Sequence, residues 1–196
     1  MSDVSTRPMR ADAERTVRAI LEAAERVLAR DPAATMEEIA AAAGVARTTV
    51  HRRFSTRDAL LASLAGWATR QLEAALDAAR PDAAPPLVAL YQATVNVLRV
   101  KISWGFAMDA ALAGGEEVEE IQRRMLGTCD RLFGRLRDTG ALRGDVDPVW
   151  ARRVYYALIH EACQDVVAES AADVDALATR LVDTLLRGVG TPAAQL

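Results

Sequence analysis

Four arginines fall within residues 47–57, and no acid falls among them. The segment reads RTTVHRRFSTR. On a helix, Val50 and Phe54 lie four apart and share one face. The same spacing pairs Arg47 with His51 and Thr48 with Arg52, and Thr49 and Arg53 flank those faces. A short helix built half from arginine, threonine and histidine gains little stability from that composition. Its side chains suit a polyanion instead. Guanidinium groups fork onto phosphate oxygens or guanine edges, and hydroxyl and imidazole groups bond to either. Arg47, Thr48, Thr49, His51, Arg52 and Arg53 are therefore candidates for contact with duplex DNA, against the plainer reading of a solvated helix face. Arg53 could instead pair with an acid of a neighbouring helix. Arg57 sits in the first turn of the next helix, where a cation opposes the helix dipole. A phosphate docked there would remove the conflict.

These groups need a frame, and the preceding residues supply one. Thr35 and Glu38 have the spacing of a capping box, which satisfies amides left open at a helix start. Ile39, Ala40 and Ala43 would face inward. Gly44 can take the left-handed backbone of a tight exit, and Val45 plugs the corner. The stretch 35–57 thus reads as two short helices joined by a tight turn, followed by the start of a third. That is the layout of a helix-turn-helix, whose second helix enters the major groove.

The total charge does not advertise this. The chain of 196 residues carries a formal net charge of -3. Residues 1–60 hold ten arginines and nine acids, and residues 61–196 hold fourteen basic and eighteen acidic residues. Local field matters more than the sum for docking on phosphates. Hydrophobic residues make up 51% and aromatics only 5%, with abundant alanine, which favours helix over strand. No long stretch alternates with period two, so the fold class is all-α without a sheet.

The chain in order gives about nine helices. Residues 1–12 read as a flexible arm carrying Pro8, Arg7 and Arg10, with Asp12 as the cap of a first helix over 13–30. Asp31 and Pro32 end it. Ser55 and Asp58 form a second capping box and open a fourth helix, which continues through Leu60, Leu64, Leu72 and Leu76 to near Arg80. The proline-rich stretch 81–86 breaks the chain. Further helices are expected over about 87–100, 103–112 and 116–139, the middle one ended by Gly114 and Gly115. In the last of these, glutamates lead and arginines follow, which suits the dipole. Asp147 and Pro148 start an eighth helix that runs through Val166 and Val167 to near Ser170. Asp173 caps a ninth, and Gly188, Gly190 and Pro192 close the ordered chain. The last two helices show broad apolar faces that a monomer would leave exposed. Pairing with a second copy through both would cover them in a four-helix interface. The domains are then an arm over 1–12, a three-helix head over 13–60, a helical ligand-binding and dimerisation domain over 61–190, and a tail over 191–196.

The text ILEAAERVLAR followed by TMEEIAAAAGVARTTVHRRFSTRDALL resembles the TetR/AcrR family of bacterial transcriptional regulators. The shared pattern is a Thr-x-x-x-Ile-Ala cap and helix, Ala-Gly-Val, a short recognition helix, Phe, and a Ser-Lys-x-x-Leu-like start to the next helix. The match covers about residues 15–61; the remainder agrees in helix count, lengths and order. The resemblance implies that Thr35 bonds a phosphate and that Arg47 and Thr49 approach base edges or phosphates. It places His51 where the family usually has a phosphate-binding tyrosine, and Arg57 where it usually has a phosphate-binding lysine. Ala46 replaces the common serine, so a side-chain cap is missing before the recognition helix.

Large side chains gather in the second half. Trp67, Tyr91, Trp104, Phe106, Met108, Met125, Cys129, Tyr155 and His160 could be plain core. Together they also suit an apolar pocket with a few orienting groups, among which His160 is the best polar candidate. An apolar or aromatic small molecule is the expected ligand. Catalysis has little support, since no phosphate loop, zinc spacing or nucleophile elbow occurs. The two cysteines, Cys129 and Cys163, read as buried thiols, and no metal or cofactor is expected. The N-terminal MSDVSTRPMR lacks an apolar signal core, and no apolar run reaches the ~18 residues of a membrane span, so a cytoplasmic protein is expected.

The functional expectation is a ligand-responsive regulator that acts as a repressor. Its homodimer would set two recognition helices on a palindromic DNA operator about 34–36 Å apart. An activator of the same fold and a helical ligand-binding protein that does not read DNA are the alternatives. A helical enzyme would need a catalytic cluster around His160.

Overall fold

The computed structural model describes residues 6–111, 115–164 and 173–191, with side chains from residue 12 onward. Residues 1–5, Leu112, Gly114, Val166, Val167, Ser170 and Pro192 lie outside the described residues, as do the side chains of Arg7 and Arg10. Nine α-helices are present among the described residues. They are α1 (Thr6–Leu28), α2 (Met36–Ala42), α3 (Arg47–Arg53), α4 (Arg57–Ala78), α5 (Pro86–Ser103), α6 (Gly105–Ala110), α7 (Glu116–Asp138), α8 (Pro148–Gln164) and α9 (Val174–Val189). The only β pairing among the described residues is an isolated bridge between Leu142 and Gly190.

Two compact units are present. The head comprises Met1–Ala68 and Trp104–Gly115, and the body comprises Thr69–Ser103 and Glu116–Leu196. The domain expected over 61–190 therefore gives the start of α4 and all of α6 to the head.

The head closes around one apolar cluster. Ile20, Leu21, Ala24 and Leu28 supply the inner face of α1, and Ile39 and Ala40 that of α2. Val50, Phe54, Leu60 and Leu64 complete it, and Ala107 of α6 is buried in the same cluster. A fully buried leucine or isoleucine contributes about 1.5–3 kcal/mol. The helix starts mostly follow the expected chemistry. Thr35 and Glu38 form the complete capping box. Asp147 accepts from the Val149 amide at 3.1 Å, and Asp173 accepts from Asp175 and Ala176.

Two starts differ. α1 begins at Thr6, earlier than the flexible arm over 1–12 and the cap at Asp12 anticipated. Pro8 falls in the first turn, where its missing N–H would have no partner anyway, so it does not oppose the helix. Asp12 instead binds the guanidinium of Arg15 at 2.9 Å. α4 is capped by Thr56, whose Oγ1 accepts from the Ala59 amide at 3.0 Å, and not by Ser55.

The body is organised on α5, which packs against α7, α8 and α9. Leu90, Leu98, Leu132, Phe133, Leu136, Leu181, Leu185 and Leu186 are among its core members. The apolar face of α9 is therefore buried within the chain, a correction to the expectation that both last helices leave theirs open. The solvent side of α9 is polar, with Thr179, Arg180, Thr184 and Arg187 exposed. The large apolar residues that remain exposed on α8 are Val149, Trp150 and Tyr156.

Charges fasten the body's elements. After α4, Arg80 adopts a left-handed φ of 52°, which costs a residue with a Cβ about 1–2 kcal/mol. The turn that follows is gripped from α7. Arg135 donates to the carbonyls of Pro81 and Ala84, and Arg131 forks onto Asp82 at 3.0 and 3.1 Å. Arg124 forks onto Glu73 of α4, and Arg70 pairs with Glu117. The arginine-rich half of α7 thus fixes the 81–86 link as well as complementing the helix dipole.

Candidate functional site

The recognition element is set by its own turn. Gly44 takes φ +67°, and the Val45 amide donates to Ala40 O at 3.1 Å, which redirects the chain into α3. Ala46 caps α3 with its backbone alone, as the missing serine implied. Val50 and Phe54 are buried, so the opposite side of α3 faces outward. Thr48, His51, Arg52 and Arg53 are exposed there and Thr49 is half-buried. Arg52 and Arg53 make no ion pair among the described residues, and with Thr49, Asp12 and Thr16 they line a shallow depression of about 460 Å³.

The other three candidates are already engaged. Arg47 Nε lies 2.6 Å from Glu37 Oε1 and donates to His51 Nε2 at 3.3 Å. The second contact requires His51 to be unprotonated at Nε2. The Thr35 amide and hydroxyl both donate to Glu38 Oε2, at 2.7 and 2.8 Å. Those bonds hold the Glu38 carboxyl below its ordinary pKa, the amide bond being the larger cause. Arg57 is engaged within the chain. Its guanidinium donates to the carbonyls of Ala34, at 2.6 Å, and Pro32. The conflict between this cation and the helix dipole is thus eased by carbonyls of the chain's own α1–α2 connection.

A residue not foreseen from the sequence closes the head. Glu25 of α1 is buried and accepts from the amides of Phe106 and Ala107, each at 2.9 Å. These are first-turn amides of α6, whose N-cap Trp104 offers no side-chain bond. Burial pushes the Glu25 carboxyl up; the two amide bonds work in the other direction, and Asp109 adds to the rise.

The body holds a cavity of about 410 Å³. α4 contributes Leu72 and Leu76, and α5 contributes Val97 and Lys101. α7 contributes Gln122, Met125, Leu126 and Cys129, and α8 contributes Tyr155, Tyr156 and Ile159. Of the nine expected pocket residues, Met125, Cys129 and Tyr155 meet here. Trp67, Trp104, Phe106 and Met108 do not: they pack on the head's core. Tyr91 packs on the body's core, with its hydroxyl 3.4 Å from Asp175 O. His160 is exposed on α8 and absent from the cavity wall.

The polar groups of the wall are mostly settled. Thr94 Oγ1 donates to Leu90 O at 2.7 Å and lies 3.0 Å from Tyr155 Oη, so the phenol donates to it. Burial raises the pKa of Tyr155 far above the ordinary phenol range, and desolvation raises that of Tyr156 too, although 37% of that residue stays exposed. The Cys129 thiol is raised by burial too. Behind Tyr156, the Arg152 guanidinium lies 5.2 Å from the ring centroid and binds Asp130 at 2.6 Å. Both cysteines are free, Cys129 buried and Cys163 half-buried. Among the described residues, no group of three His, Cys, Asp or Glu could hold a metal ion, and no helix is long and apolar enough to cross a membrane.

Comparison with known proteins agrees with this architecture. Residues 20–64 match the family described as bacterial regulatory proteins, tetR family. The HTH-type transcriptional repressor LfrR of Mycolicibacterium smegmatis is 35% identical over 188 residues, spanning 88% of this chain and 92% of its own. The crystal structure of LfrR from Mycobacterium smegmatis in complex with proflavine has TM-score 0.71 and 30% identity, covering 91% of this chain and 98% of that one. PfmR of Thermus thermophilus shares the fold at TM-score 0.75 and 19% identity, over 88% of this chain and 99% of its own.

Proposed function

The chain belongs to the TetR family of bacterial regulatory proteins, and from that premise we propose that it is a ligand-responsive transcriptional repressor acting as a homodimer on a palindromic operator. The observation that carries the DNA half of this reading is the outward side of α3. Arg52 and Arg53 are exposed and unpaired among the described residues, beside Thr48, Thr49 and His51. Val50 and Phe54 hold the opposite side in the core, so these donors are presented on a fixed surface. Arg47 joins them by exchanging Glu37 for a base edge or phosphate. Thr35 supports a phosphate contact only by giving up one of its two bonds to Glu38. Arg57 acts indirectly, by fixing the connection that leads into α2.

The effector half rests on the body's cavity. Its volume falls within the range of about 300–1,000 Å³ usual for small-molecule sites, and its wall is largely apolar with two tyrosines. The relative LfrR has been crystallised with proflavine, a flat aromatic molecule. An aromatic or apolar effector is the matching class here. α4 carries Leu60 and Leu64 in the head's core and Leu72 and Leu76 on the cavity wall. A ligand that shifts the second half of α4 would change the spacing of the two heads. Effector and DNA would then weaken each other's binding by the same factor.

The test is a gel-shift titration with duplexes selected from a random library. Changing Arg47 and Arg52 together to alanine is expected to abolish specific binding, each lost base contact costing about 1–3 kcal/mol. Unchanged affinity and sequence preference in that variant would overturn the assignment of α3.

A further inference from the structure

We propose that the cavity of the body selects an acidic amphiphile, an apolar or aromatic molecule bearing one carboxylate or sulfonate, and that Lys101 is the residue that reads the acid. This rests on the reading of the cavity as the effector site and adds the charge of the ligand to it.

The wall of the cavity is mostly uncharged. Leucines of α4 and α7, with Ile159 of α8, give it an apolar body. No aspartate or glutamate among the described residues lines it. The thiol and the two phenols are neutral at pH 7, since such groups ordinarily ionise well above it and all three are shifted further up. The Tyr155 hydroxyl is already committed to Thr94. Arg152, behind the Tyr156 ring, has its charge met by Asp130. Lys101 is what remains. It is half-buried, and no carboxylate binds it among the described residues. Its field reaches the nearby Cys163 thiol, where it opposes the rise that burial causes.

An ammonium on a largely apolar wall interacts more strongly with ligand charge than one in open water, because the wall displaces part of the screening solvent. A ligand cation entering this cavity meets Lys101 with no carboxylate on the wall to compensate. A ligand anion supplies the partner that Lys101 lacks among the described residues. Gln122, the other polar wall residue with an uncommitted amide, can donate a second hydrogen bond to the same acid. The selectivity is thus opposite in sign to what a cationic aromatic dye requires.

The experiment is a fluorescence titration of the full chain with three probes: 1-anilinonaphthalene-8-sulfonate, N-phenyl-1-naphthylamine and proflavine. The first two share a ring system and differ by the sulfonate, and the third is cationic. The sulfonate probe is expected to bind about tenfold more tightly than its neutral counterpart, the scale of a charge-assisted hydrogen bond. Proflavine is expected to bind more weakly than the neutral probe. Lys101→Met should bring the three affinities together, and Lys101→Gln should do the same if the methionine variant does not fold. Equal affinities in the unaltered protein, or a sulfonate preference that survives both substitutions, would overturn the role of Lys101. Met125→Trp, which fills the cavity, separates this from failure of the underlying reading. If no probe binds, or if binding ignores that substitution, the cavity is not the ligand site.

Discussion

At the scale of single residues, the surface of α3 proposed to face DNA is a set of donors in different states of readiness. Arg52 and Arg53 make no ion pair among the described residues, whereas Arg47 is held by Glu37 at 2.6 Å. Both partners of that pair are largely exposed, so its strength lies within the ~0–1 kcal/mol of surface ion pairs. Glu37 is also an anion beside a surface meant for a polyanion. Glu37→Gln removes the hold and the repulsion together. Operator binding is expected to tighten by about twofold to fivefold, in keeping with that range. A gel-shift comparison of Glu37→Gln with and without Arg47→Ala separates the causes. If the gain runs through Arg47, it disappears in the double variant. Weaker binding by Glu37→Gln alone would mean that Glu37 orients Arg47 for contact and does not restrain it. Much of this surface is legible in the sequence, because the spacing of Val50 and Phe54 decides which side chains turn outward. The engagement of Arg47, Thr35 and Arg57 is not, since each partner comes from another turn or helix.

At the scale of elements, α6 shows how a short helix can depend on its neighbour. Six residues cannot sustain a helix alone. Its first amides are satisfied by the Glu25 carboxylate of α1, which anchors it to the head. The sequence held a signal for this. Glu25 lies on the stripe formed by Leu21 and Leu28, where an acid has no apolar role and needs a buried partner. The partner itself lies some eighty residues away, beyond the reach of helical periodicity. Glu25→Ala leaves both amides without an acceptor and is expected to destabilise the head by about 2 kcal/mol. The pH dependence has a definite sign. Burial raises the carboxyl's pKa in the folded head above the ~4.3 of an unfolded glutamate. Between those two values the folded state binds more protons, so its stability falls as pH rises through the window. Glu25→Gln cannot titrate. The stability of the unaltered protein minus that of Glu25→Gln should therefore decline with rising pH across the window and then level off. Denaturant midpoints measured from pH 4 to 7 would show this. A difference that grows with pH would mean that the amide bonds outweigh burial.

At the scale of the whole molecule, architecture and pocket differ in how far sequence reaches. Helix number, order and most caps follow from periodicity and from residues such as Thr35, Asp147 and Asp173, because those signals are local. The cavity is assembled from four helices, and its wall depends on how they cross. Large aromatic residues such as Trp67 and Trp104 fit a pocket by composition, yet the fold spends them on the head's core. The same limit applies to assembly. The apolar stripe of α9 suggests a partner helix in another copy, but α5 and α8 of the same chain cover it. What is left for a homodimer across α8 and α9 is a mixed surface. Its largest apolar member is Trp150 at the start of α8, which is 56% exposed, next to Val149 at 47%. An exposed tryptophan beside polar residues is the composition of an interface centre with a wet rim. Trp150→Arg places a charge there without touching the core, so the protomer should keep its fold. Sedimentation equilibrium is expected to show a shift from dimer to monomer. Operator affinity should fall by about 10²-fold or more, because the second half-site is no longer bound by a linked head. Binding to random duplex, which each head achieves alone, should fall far less. An unchanged dimer in this variant would move the interface away from the start of α8. A monomer that still bound the full operator tightly would remove the need for paired heads.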